Sequence, residues 1–252
     1  MRRRRRIPSA MPFYAGTSGW AYAAWKPNFY PAKLPSKEFL RFYATQLNSV
    51  EVNYTFRRML NEKIIDGWIS QTPEGFRFAL KAHQAITHYK RLKNAEEPLR
   101  RFVEAINPLA QAGKLGPVLF QLPPQFKADA RVLNDFLEQL PRKLQAAFEF
   151  RDASWFSEEV LAVLRQHNAA LCIAESDGFE TPAVFTADFG YFRLRKSDYS
   201  PDDRKRIAST IRKRQKELSE IYTFFKHEER PESPLWAKEL LQEVGGGASA
   251  VA

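Results

Sequence analysis

Charged side chains occupy every second position near the ends of several short apolar segments. One segment has the sequence Val-Glu-Val-Asn and another has Phe-Glu-Phe-Arg. Successive side chains of a β-strand point to opposite faces of a sheet, so Glu51, Asn53, Glu149 and Arg151 are predicted to lie opposite the apolar residues of these strands. Carboxylates beside guanidinium groups can transfer protons or bind anionic ligands.

Other apolar segments carry polar residues at the same parity. The set predicted to share the inner face of the sheet is Lys81, Gln121, Glu175, Asp177, Tyr191, Arg193, Arg195, Lys226 and Glu228. Glu51 and Glu149 are candidate catalytic acids or bases. Lys81 and Lys226 are also candidate catalytic residues, because a desolvated lysine beside another cation can act as a Schiff-base nucleophile.

The other members of the predicted site are candidates for substrate binding. They are Trp20, Tyr22, Asn53, His88, Gln121, Arg151, Asp177, Arg193, Arg195 and Glu228. The aromatic rings could stack on a sugar or a base. Arginine forks bind phosphate or carboxylate groups through paired N–H donors, so a small anionic ligand is the favoured partner.

Two of these pairings also have a structural interpretation. Glu149 with Arg151, and Glu51 with Lys81, could neutralise one another as ion pairs. The whole set favours a ligand site, since each unpaired buried ion costs several kcal/mol and so many charges at one end of a fold need water or a ligand. We expect Glu149→Gln to abolish turnover and to leave the fold intact, because the amide keeps the volume but transfers no proton.

The sequence predicts no metal site and no cofactor. The histidines are scattered, and none forms a His-x-x-x-His or His-Glu-x-x-His pair of the kind that binds zinc. Glu51, Glu149, Glu175 and Glu228 have the oxygen chemistry of a metal site, but the neighbouring lysines and arginines would compete for the same carboxylates.

The apolar segments alternate with amphipathic stretches, a pattern typical of a parallel sheet wrapped by helices. Eight strands are predicted at residues 13–19, 49–55, 76–82, 117–122, 146–151, 170–176, 190–195 and 221–226. Helices are predicted at residues 36–46, 60–70, 98–112, 129–140, 157–166, 201–218 and 234–244, and residues 178–188 have little helical signal. Eight such units favour a single α/β domain, a closed (β/α)8 barrel of the TIM type.

An open doubly wound sheet is the alternative architecture. It normally has a glycine-rich phosphate-binding turn after the first strand, and Gly16-Thr17-Ser18-Gly19 lacks the third glycine of that pattern. The predicted polar residues lie late in their strands, and the carboxyl ends of the strands are where a TIM barrel builds its active site. The closed barrel is therefore preferred.

Composition predicts one soluble domain with a basic N-terminal end. The chain has 252 residues, of which 44% are hydrophobic, and a single cysteine. It has neither the ~20 consecutive apolar residues of a membrane-spanning helix nor the apolar segment of a secretory signal, so no membrane partner and a cytoplasmic location are predicted.

Five charges of the net +10 come from the arginines at positions 2–6. Residues 1–12 are therefore predicted to form a disordered basic leader, residues 13–244 the barrel, and residues 245–252 a flexible tail. A truncated chain that starts at Met11 is expected to fold.

Nucleic-acid binding is the alternative function. The predicted helix at residues 201–218 contains two basic runs, Arg204-Lys205-Arg206 and Arg212-Lys213-Arg214, which could follow phosphates while aromatic side chains receive a base. A solvated helix face also explains these runs and is the preferred interpretation. An enzyme that acts on a small anionic substrate by acid/base chemistry is the first hypothesis.

Several ordered motifs resemble a known family. They are Gly16-Thr17-Ser18-Gly19-Trp20-x-Tyr22-x-x-Trp25, Val50-Glu51-Val52-Asn53-x-Thr55-Phe56, Thr87-His88, Phe120-Gln121-Leu122-Pro123-Pro124 and Glu149-Phe150-Arg151-x-x-Ser154-Trp155. From Phe13 to about Leu241 the chain resembles the YecE-like family, also called domain of unknown function 72. The resemblance implies a TIM-barrel-like fold and carries over no catalytic roles.

Two strand ends depart from the pattern of that family. Many members have Arg-Leu-His-Gly at the end of the seventh strand, where this chain has Arg-Leu-Arg-Lys at residues 193–196. Many also have a Phe-Asn-Asn-like segment near the eighth strand, where this chain has Phe-Lys-His-Glu at residues 225–228. These departures resemble a subgroup pattern, so chemistry shared by the family is not carried over to these positions.

Overall fold

The computed structural model describes residues 12–226 and 231–245, so nearly all of the predicted leader and tail lies outside the described residues. The strands, numbered along the chain, are β1 (Phe13–Thr17), β2 (Ser49–Val52), β3 (Arg77–Lys81), β4 (Leu115–Gln121), β5 (Ala146–Glu149), β6 (Ala170–Ser176), β7 (Phe179–Glu180), β8 (Phe189–Arg195) and β9 (Glu220–Phe225). The α-helices are α1 (Phe39–Gln46), α2 (Glu62–Gln71), α3 (Glu96–Gln111), α4 (Ala130–Leu137), α5 (Glu158–Gln166), α6 (Pro201–Arg214) and α7 (Glu232–Val244).

Eight parallel strands form a nearly closed barrel in the order β1-β9-β8-β6-β5-β4-β3-β2. Parallel neighbours require the chain to return to the starting end of the sheet between strands, and helices make most of these returns. The predicted TIM-like (β/α)8 barrel is therefore confirmed. The short β7 is additional: it pairs antiparallel with the end of β6, within the segment that has little helical signal.

The starts of four helices are fixed by side chains that precede them. Asn61, Asp129, Ser157 and Ser200 each accept a hydrogen bond from a backbone N–H of the first turn, at α2, α4, α5 and α6. Such caps satisfy N–H groups that have no partner inside the helix. In α6 the cap is reciprocal, because the side chain of Asp203 also accepts from the backbone of Ser200.

The side chains on the two faces of the strands form two separate apolar layers. The barrel interior holds Tyr14, Ala79, Leu119, Ala147, Ala170, Cys172, Ala174, Phe189, Tyr191, Tyr222 and Phe224. Val50, Val52, Phe148, Phe192 and Leu194 belong to the other layer, between the sheet and the helices, so the parity predicted for β2, β5 and β8 is confirmed. Small side chains on β3, β5 and β6 share this interior with aromatic rings on β1, β8 and β9, which leaves space for long residues to reach the barrel axis.

Side chains close the seam between β1 and β2, where the backbone ladder is sparse. One isolated bridge joins Ser18 to Glu51. Below it, the Asn48 side chain takes the place of a paired backbone: its Oδ1 accepts from the N–H of Ala15 at 2.9 Å, and its Nδ2 donates to the carbonyl of Phe13 at 2.8 Å. The barrel is thus completed partly by a side-chain amide.

Tyr43 of α1 completes the same seam. Its hydroxyl accepts from the N–H of Thr17 at 2.8 Å and donates to the carbonyl of Ser49 at 3.0 Å. The two strands approach so closely here that a Cβ on Gly16 would lie 1.9 Å from the oxygen of Ser49, and therefore only glycine fits at this position.

No helix among residues 12–226 and 231–245 combines the length and the apolar composition that a membrane crossing needs.

Removing the Tyr43 hydroxyl should weaken the barrel. We expect Tyr43→Phe to lower the free energy of unfolding by about 1–3 kcal/mol, because a buried N–H and a buried carbonyl lose their common partner. The control is Tyr14→Phe, whose hydroxyl has no hydrogen-bond partner among the described residues and whose loss should change stability little. Urea denaturation of both variants makes the comparison, and equal losses would contradict the role of Tyr43.

Candidate functional site

Arg193 of β8 crosses the barrel and joins two carboxylates on other strands. Its Nη2 donates to Oε1 of Glu51 on β2 at 2.7 Å, and its Nη1 donates to Oε2 of Glu149 on β5. All three side chains are completely buried, with side-chain exposures of 0–1%. These residues, which we call the buried triad, occupy the barrel axis near the carboxyl ends of the strands.

Additional donors satisfy the carboxylates of the triad. Ser18 Oγ donates to Glu51 Oε1 at 2.7 Å, and the Tyr191 hydroxyl donates to Glu51 Oε2 at 2.8 Å. Arg151 Nε donates to Oε1 of Glu149 at 3.1 Å. Each carboxylate oxygen therefore has at least one donor, which is the condition for keeping a buried ion in place.

The cations keep both carboxylates ionised. Burial alone would raise the pKa of Glu149, but the charges of Arg193, Arg195 and Arg151 outweigh it and lower this pKa to about 2. Burial likewise opposes ionisation of Glu51, but Arg193 together with the hydrogen bonds from Ser18 and Tyr191 outweighs it, so the pKa of Glu51 is also lowered. Two negative charges are thus fixed inside the barrel at neutral pH.

Four residues lie around the triad at the rim of the barrel: Lys81, Gln121, Arg151 and Arg195. We call these four residues and the triad the cup. Lys81 Nζ donates to Gln121 Oε1 at 2.9 Å, and Arg151 Nη2 donates to the same oxygen at 3.1 Å. Arg195 Nη2 lies 3.5 Å from Glu149 Oε1. The cup therefore contains four cations and two carboxylates, which leaves two positive charges in excess.

Lys81 is the cation of the cup whose charge is least stable. Burial, followed by the charge of Arg193, lowers the pKa of its ammonium group to about 8. The ammonium group lies 4.1 Å from the centre of the Phe56 ring, a cation–π contact. Lys81 makes no ion pair with Glu51, so the alternative Glu51 and Lys81 pair is wrong, whereas Glu149 and Arg151 do pair.

His88 lies beside this group. Its ring meets the Phe56 ring edge-on at 4.8 Å between centres, and its Nδ1 lies 2.9 Å from Thr87 Oγ1. Burial, followed by the charges of Lys81 and Arg151, lowers the pKa of the imidazole. His88 is therefore neutral at neutral pH and can accept a proton.

Sequence comparison identifies the family. Residues 14–251 match the model of a family described as "Protein of unknown function DUF72". This chain belongs to the DUF72 family. The UPF0759 protein YunF of Bacillus subtilis is 32% identical over 151 residues, which cover 57% of this chain and 52% of YunF. The UPF0759 protein YecE of Escherichia coli K12 is 27% identical over 146 residues, covering 58% of this chain and 50% of YecE, so the chain spans about half the length of the curated relatives it matches.

Solved structures of DUF72 proteins have the same fold. A DUF72 protein from Thermotoga maritima superposes with a TM-score of 0.81 at 25% sequence identity, over 93% of this chain and 99% of that one. A DUF72 protein from Enterococcus faecalis superposes with a TM-score of 0.77 at 17% identity, over 92% of this chain and 95% of that one. The family resemblance predicted from the motifs is confirmed.

Some predicted site residues of this DUF72 protein lie elsewhere. On β6, Cys172 and Ala174 face the interior, so Glu175 faces outward, where it pairs with Arg206 of α6 at 3.0 Å. The predicted inward position of Glu175 is therefore wrong. Asp177 accepts from the backbone N–H of Ser197 at 3.0 Å and lines a separate surface cavity of about 560 Å³, so its predicted place in the cup is also wrong.

Two aromatic candidates differ in their positions. The Tyr22 hydroxyl donates to the carbonyl of Ser18 at 3.0 Å. Tyr22 therefore contacts the residue whose side chain donates to Glu51. Trp20 packs edge-on against Trp68 of α2, with 5.5 Å between ring centres, and its predicted binding role stays a prediction.

Three further candidates lie at strand ends. Asn53 follows β2, and its buried Oδ1 has no hydrogen-bond partner among the described residues. Lys226 follows β9, and its backbone N–H donates to the carbonyl of Leu194 at 2.9 Å. Glu228 lies outside the described residues.

Two residues of the site were not predicted from the sequence. Ser18 contacts Glu51, and Phe56 contacts Lys81. Ser18 carried a usable signal, since it directly follows β1 at the inward parity. Phe56 carried none, because it lies in a short turn after β2 and not in the strand. In the described part of the chain, no three His, Cys, Asp or Glu side chains lie close enough together to hold a metal ion.

The geometry corrects the expectation that Glu149→Gln spares the fold. This substitution leaves Arg193 buried with half of its counter-charge, so we expect the free energy of unfolding to fall by about 3 kcal/mol at neutral pH. Exposed Glu104, paired with Arg100, is the matched control, and Glu104→Gln should cost less than about 1 kcal/mol.

The loss should depend on pH with a definite sign. The folded-state pKa of Glu149 is lowered, so its contribution is complete above its ordinary pKa of 4.5 and disappears as the pH falls toward about 2. The stability gap between wild type and Glu149→Gln should therefore close over this range in urea titrations. A stability gap that stays constant with pH would show that the contribution of Glu149 to stability does not depend on its charge.

Proposed function

We propose that this protein is an enzyme that binds a small substrate bearing a phosphate or carboxylate in the cup and transfers a proton through Lys81. The observation that carries the proposal is the charge of the cup, in which four cations surround two carboxylates and leave an excess of two positive charges. A partly buried excess of this kind is stabilised by an anion.

The cations nearest the surface have the geometry to hold that anion. Arg151 is 32% exposed and Arg195 is 16% exposed, whereas Arg193 beneath them is fully buried and committed to the carboxylates. The Nε of Arg195 is buried and has no hydrogen-bond partner among the described residues. A phosphate or carboxylate at the rim would supply an acceptor for these guanidinium groups.

The carboxylates themselves are poor candidates for proton transfer. Glu149, with a pKa of about 2, is a weak base at neutral pH, and neither Glu51 nor Glu149 has surface that a ligand could contact. Lys81 has a pKa of about 8, so it is a proton donor below this pH and a base above it. We therefore assign the catalytic role to Lys81 and a positioning role to the carboxylates.

We also propose a cytoplasmic location. The single cysteine excludes a disulfide within the chain, and Cys172 lies completely buried in the barrel interior, where burial, followed by the charge of Glu149, raises the pKa of its thiol. A chain that uses no internal disulfide is typical of reducing compartments.

Competitive acetylation tests the role of Lys81. An amine reacts only when neutral, so the labelling of Lys81, followed by peptide mass spectrometry, should rise with a midpoint near pH 8. Adding inorganic phosphate should move this midpoint upward, because an anion beside an ammonium group favours its charged form. Exposed Lys216 in the same digest controls for the activity of the reagent.

Two charge-matched variants locate the phosphate. Arg151→Gln with Arg195→Gln should remove the phosphate-dependent shift of the Lys81 midpoint. Arg212→Gln with Lys213→Gln removes the same charge from α6 and should keep the shift. Calorimetry with phosphate measures the affinity of each variant directly, and thermal unfolding verifies that each is folded. A wild-type midpoint that phosphate does not move would refute anion binding in the cup.

A further inference from the structure

Two neighbouring loops beside the cup carry exposed aromatic and basic side chains. Residues 54–58 follow β2, and residues 88–93 follow β3; we call them together the rim patch. Tyr54 is 44% exposed and Tyr89 is 73% exposed, which is unusual for large rings that a fold could bury. Arg57, Arg58, Lys90 and Arg91 are also exposed.

Four of the five lysine and arginine side chains of the rim patch are not neutralised by the described residues, and the fifth, Lys93, lies 3.7 Å from Asp129. Among the described residues, Arg57, Arg58, Lys90 and Arg91 make no ion pair, and the segments 52–61 and 82–95 contain no acidic residue. Arg58 lies over the ring of Tyr54 at 5.9 Å, and Arg91 lies over that of Phe126 at 5.7 Å. These cations thus lie beside aromatic rings, an arrangement suited to phosphates and stacked bases.

The rim patch is continuous with the cup. Because β2 and β3 are parallel neighbours, their following loops lie at the same end of the barrel. The rings of Phe56 and His88 join the two loops, and Phe56 also contacts the ammonium group of Lys81. The Thr55 hydroxyl donates to the carbonyl of Lys81 at 2.6 Å. The patch therefore adjoins the cup through Phe56 and Thr55.

The second loop is held in an unusual conformation. Arg91, Leu92 and Asn94 have positive φ angles of 48°, 67° and 48°. Leu92 is 2% exposed, and its N–H donates to the carbonyl of Ile86 at 3.0 Å, so the core holds this turn in place. Strained backbone of this kind is found mainly where a binding surface is preorganised.

The basic runs of α6 differ from the rim patch in this respect. Arg204 pairs with Glu239 at 2.9 Å, Arg206 with Glu175 at 3.0 Å, and Arg212 with Glu243 at 3.1 Å. Arg214 pairs with Glu217 at 2.6 Å. Their charge is largely used within the protein, which agrees with a solvated helix face and leaves the rim patch as the better surface for a polyanion.

We propose that the rim patch binds single-stranded nucleic acid, whose bases stack on Tyr54 and Tyr89 and whose phosphates contact the four unpaired cations. The proposal rests on the proposed function, because one phosphate of the strand occupies the anion site of the cup. A single strand fits better than a duplex, since a paired and stacked duplex hides the faces of its bases from protein rings.

Fluorescence anisotropy with a labelled oligothymidylate and its duplex tests the proposal on the full chain. The strand should bind more tightly than the duplex. Tyr54→Ala with Tyr89→Ala should weaken strand binding by about tenfold or more, since each stacked base contributes substantially to affinity. Both residues are exposed, so the variant should keep the wild-type thermal midpoint and the phosphate response of Lys81.

Charge-matched variants separate the patch from general basicity, including that of the arginines at positions 2–6. Arg57→Gln with Arg58→Gln should reduce the slope of log affinity against log salt by about 1.4, for two lost contacts with a single strand. Arg212→Gln with Lys213→Gln, which removes the same charge from α6, should leave the slope nearly unchanged. Equal slopes for the two pairs would overturn the proposal.

The remaining outcomes are also decisive. Duplex binding as tight as strand binding, or full affinity in the double tyrosine variant, would overturn the proposal. If phosphate still shifts the Lys81 midpoint in that case, the anion site of the cup stands and only its extension to nucleic acid fails. If phosphate has no effect on Lys81 either, both proposals fail.

Discussion

The burial of one guanidinium between two carboxylates on the barrel axis is the constraint on which the rest of the site depends. Glu51, Arg193 and Glu149 come from β2, β8 and β5, and each would be costly to bury alone. The three together still carry one net negative charge. Arg151 and Arg195, placed one layer nearer the rim, compensate that charge, and Lys81 adds another cation. The net positive charge of the cup thus comes from cations that surround a triad with a net negative charge.

The interior of the barrel is shaped to admit this centre. Ala174 of β6 pairs in register with Arg193 of β8, and Ala147 lies two residues before Glu149 on the inner face of β5. These small residues leave space along the axis, and the aromatic rings of Tyr14, Tyr191 and Tyr222 fill the layers beneath it. Tyr191 has a second function, because burial, followed by the charge of Glu51, raises the pKa of its hydroxyl and keeps it a donor.

Much of the fold and the centre of the site were predictable because β2, β5 and β8 alternate polar and apolar residues. Such alternation determines which face of a strand is buried, and closure of the barrel then brings inward residues from distant strands together. The parity failed on β6, whose residues Ala170 to Ala174 are all apolar and therefore carry no alternation. Analogy with the other strands predicts an inward Glu175, and the spacing of the sequence gives no sign of its partner Arg206 on α6.

Other features depend on three-dimensional packing and leave no periodic signal. The seam between β1 and β2 relies on Asn48 from a turn and Tyr43 from a helix, neither of which belongs to the strands that it joins. The chemical roles in the cup likewise follow from burial. Glu149 and Lys81 look equally suited to proton transfer in the sequence, but three arginines around the one and desolvation of the other separate their pKa values widely.

The same electrostatics couples ligand binding to proton binding. Burial and the charge of Arg193 lower the pKa of Lys81, and the charges of Glu51 and Glu149 partly restore it. An anion in the cup adds a further negative charge near the ammonium group and so must raise this pKa. By linkage, the protonated protein then binds the anion more tightly than the neutral one. An anionic substrate would therefore bind preferentially when Lys81 is charged, and Lys81 could then donate its proton to it. Once Lys81 has lost this proton, the cup binds the anionic product less tightly.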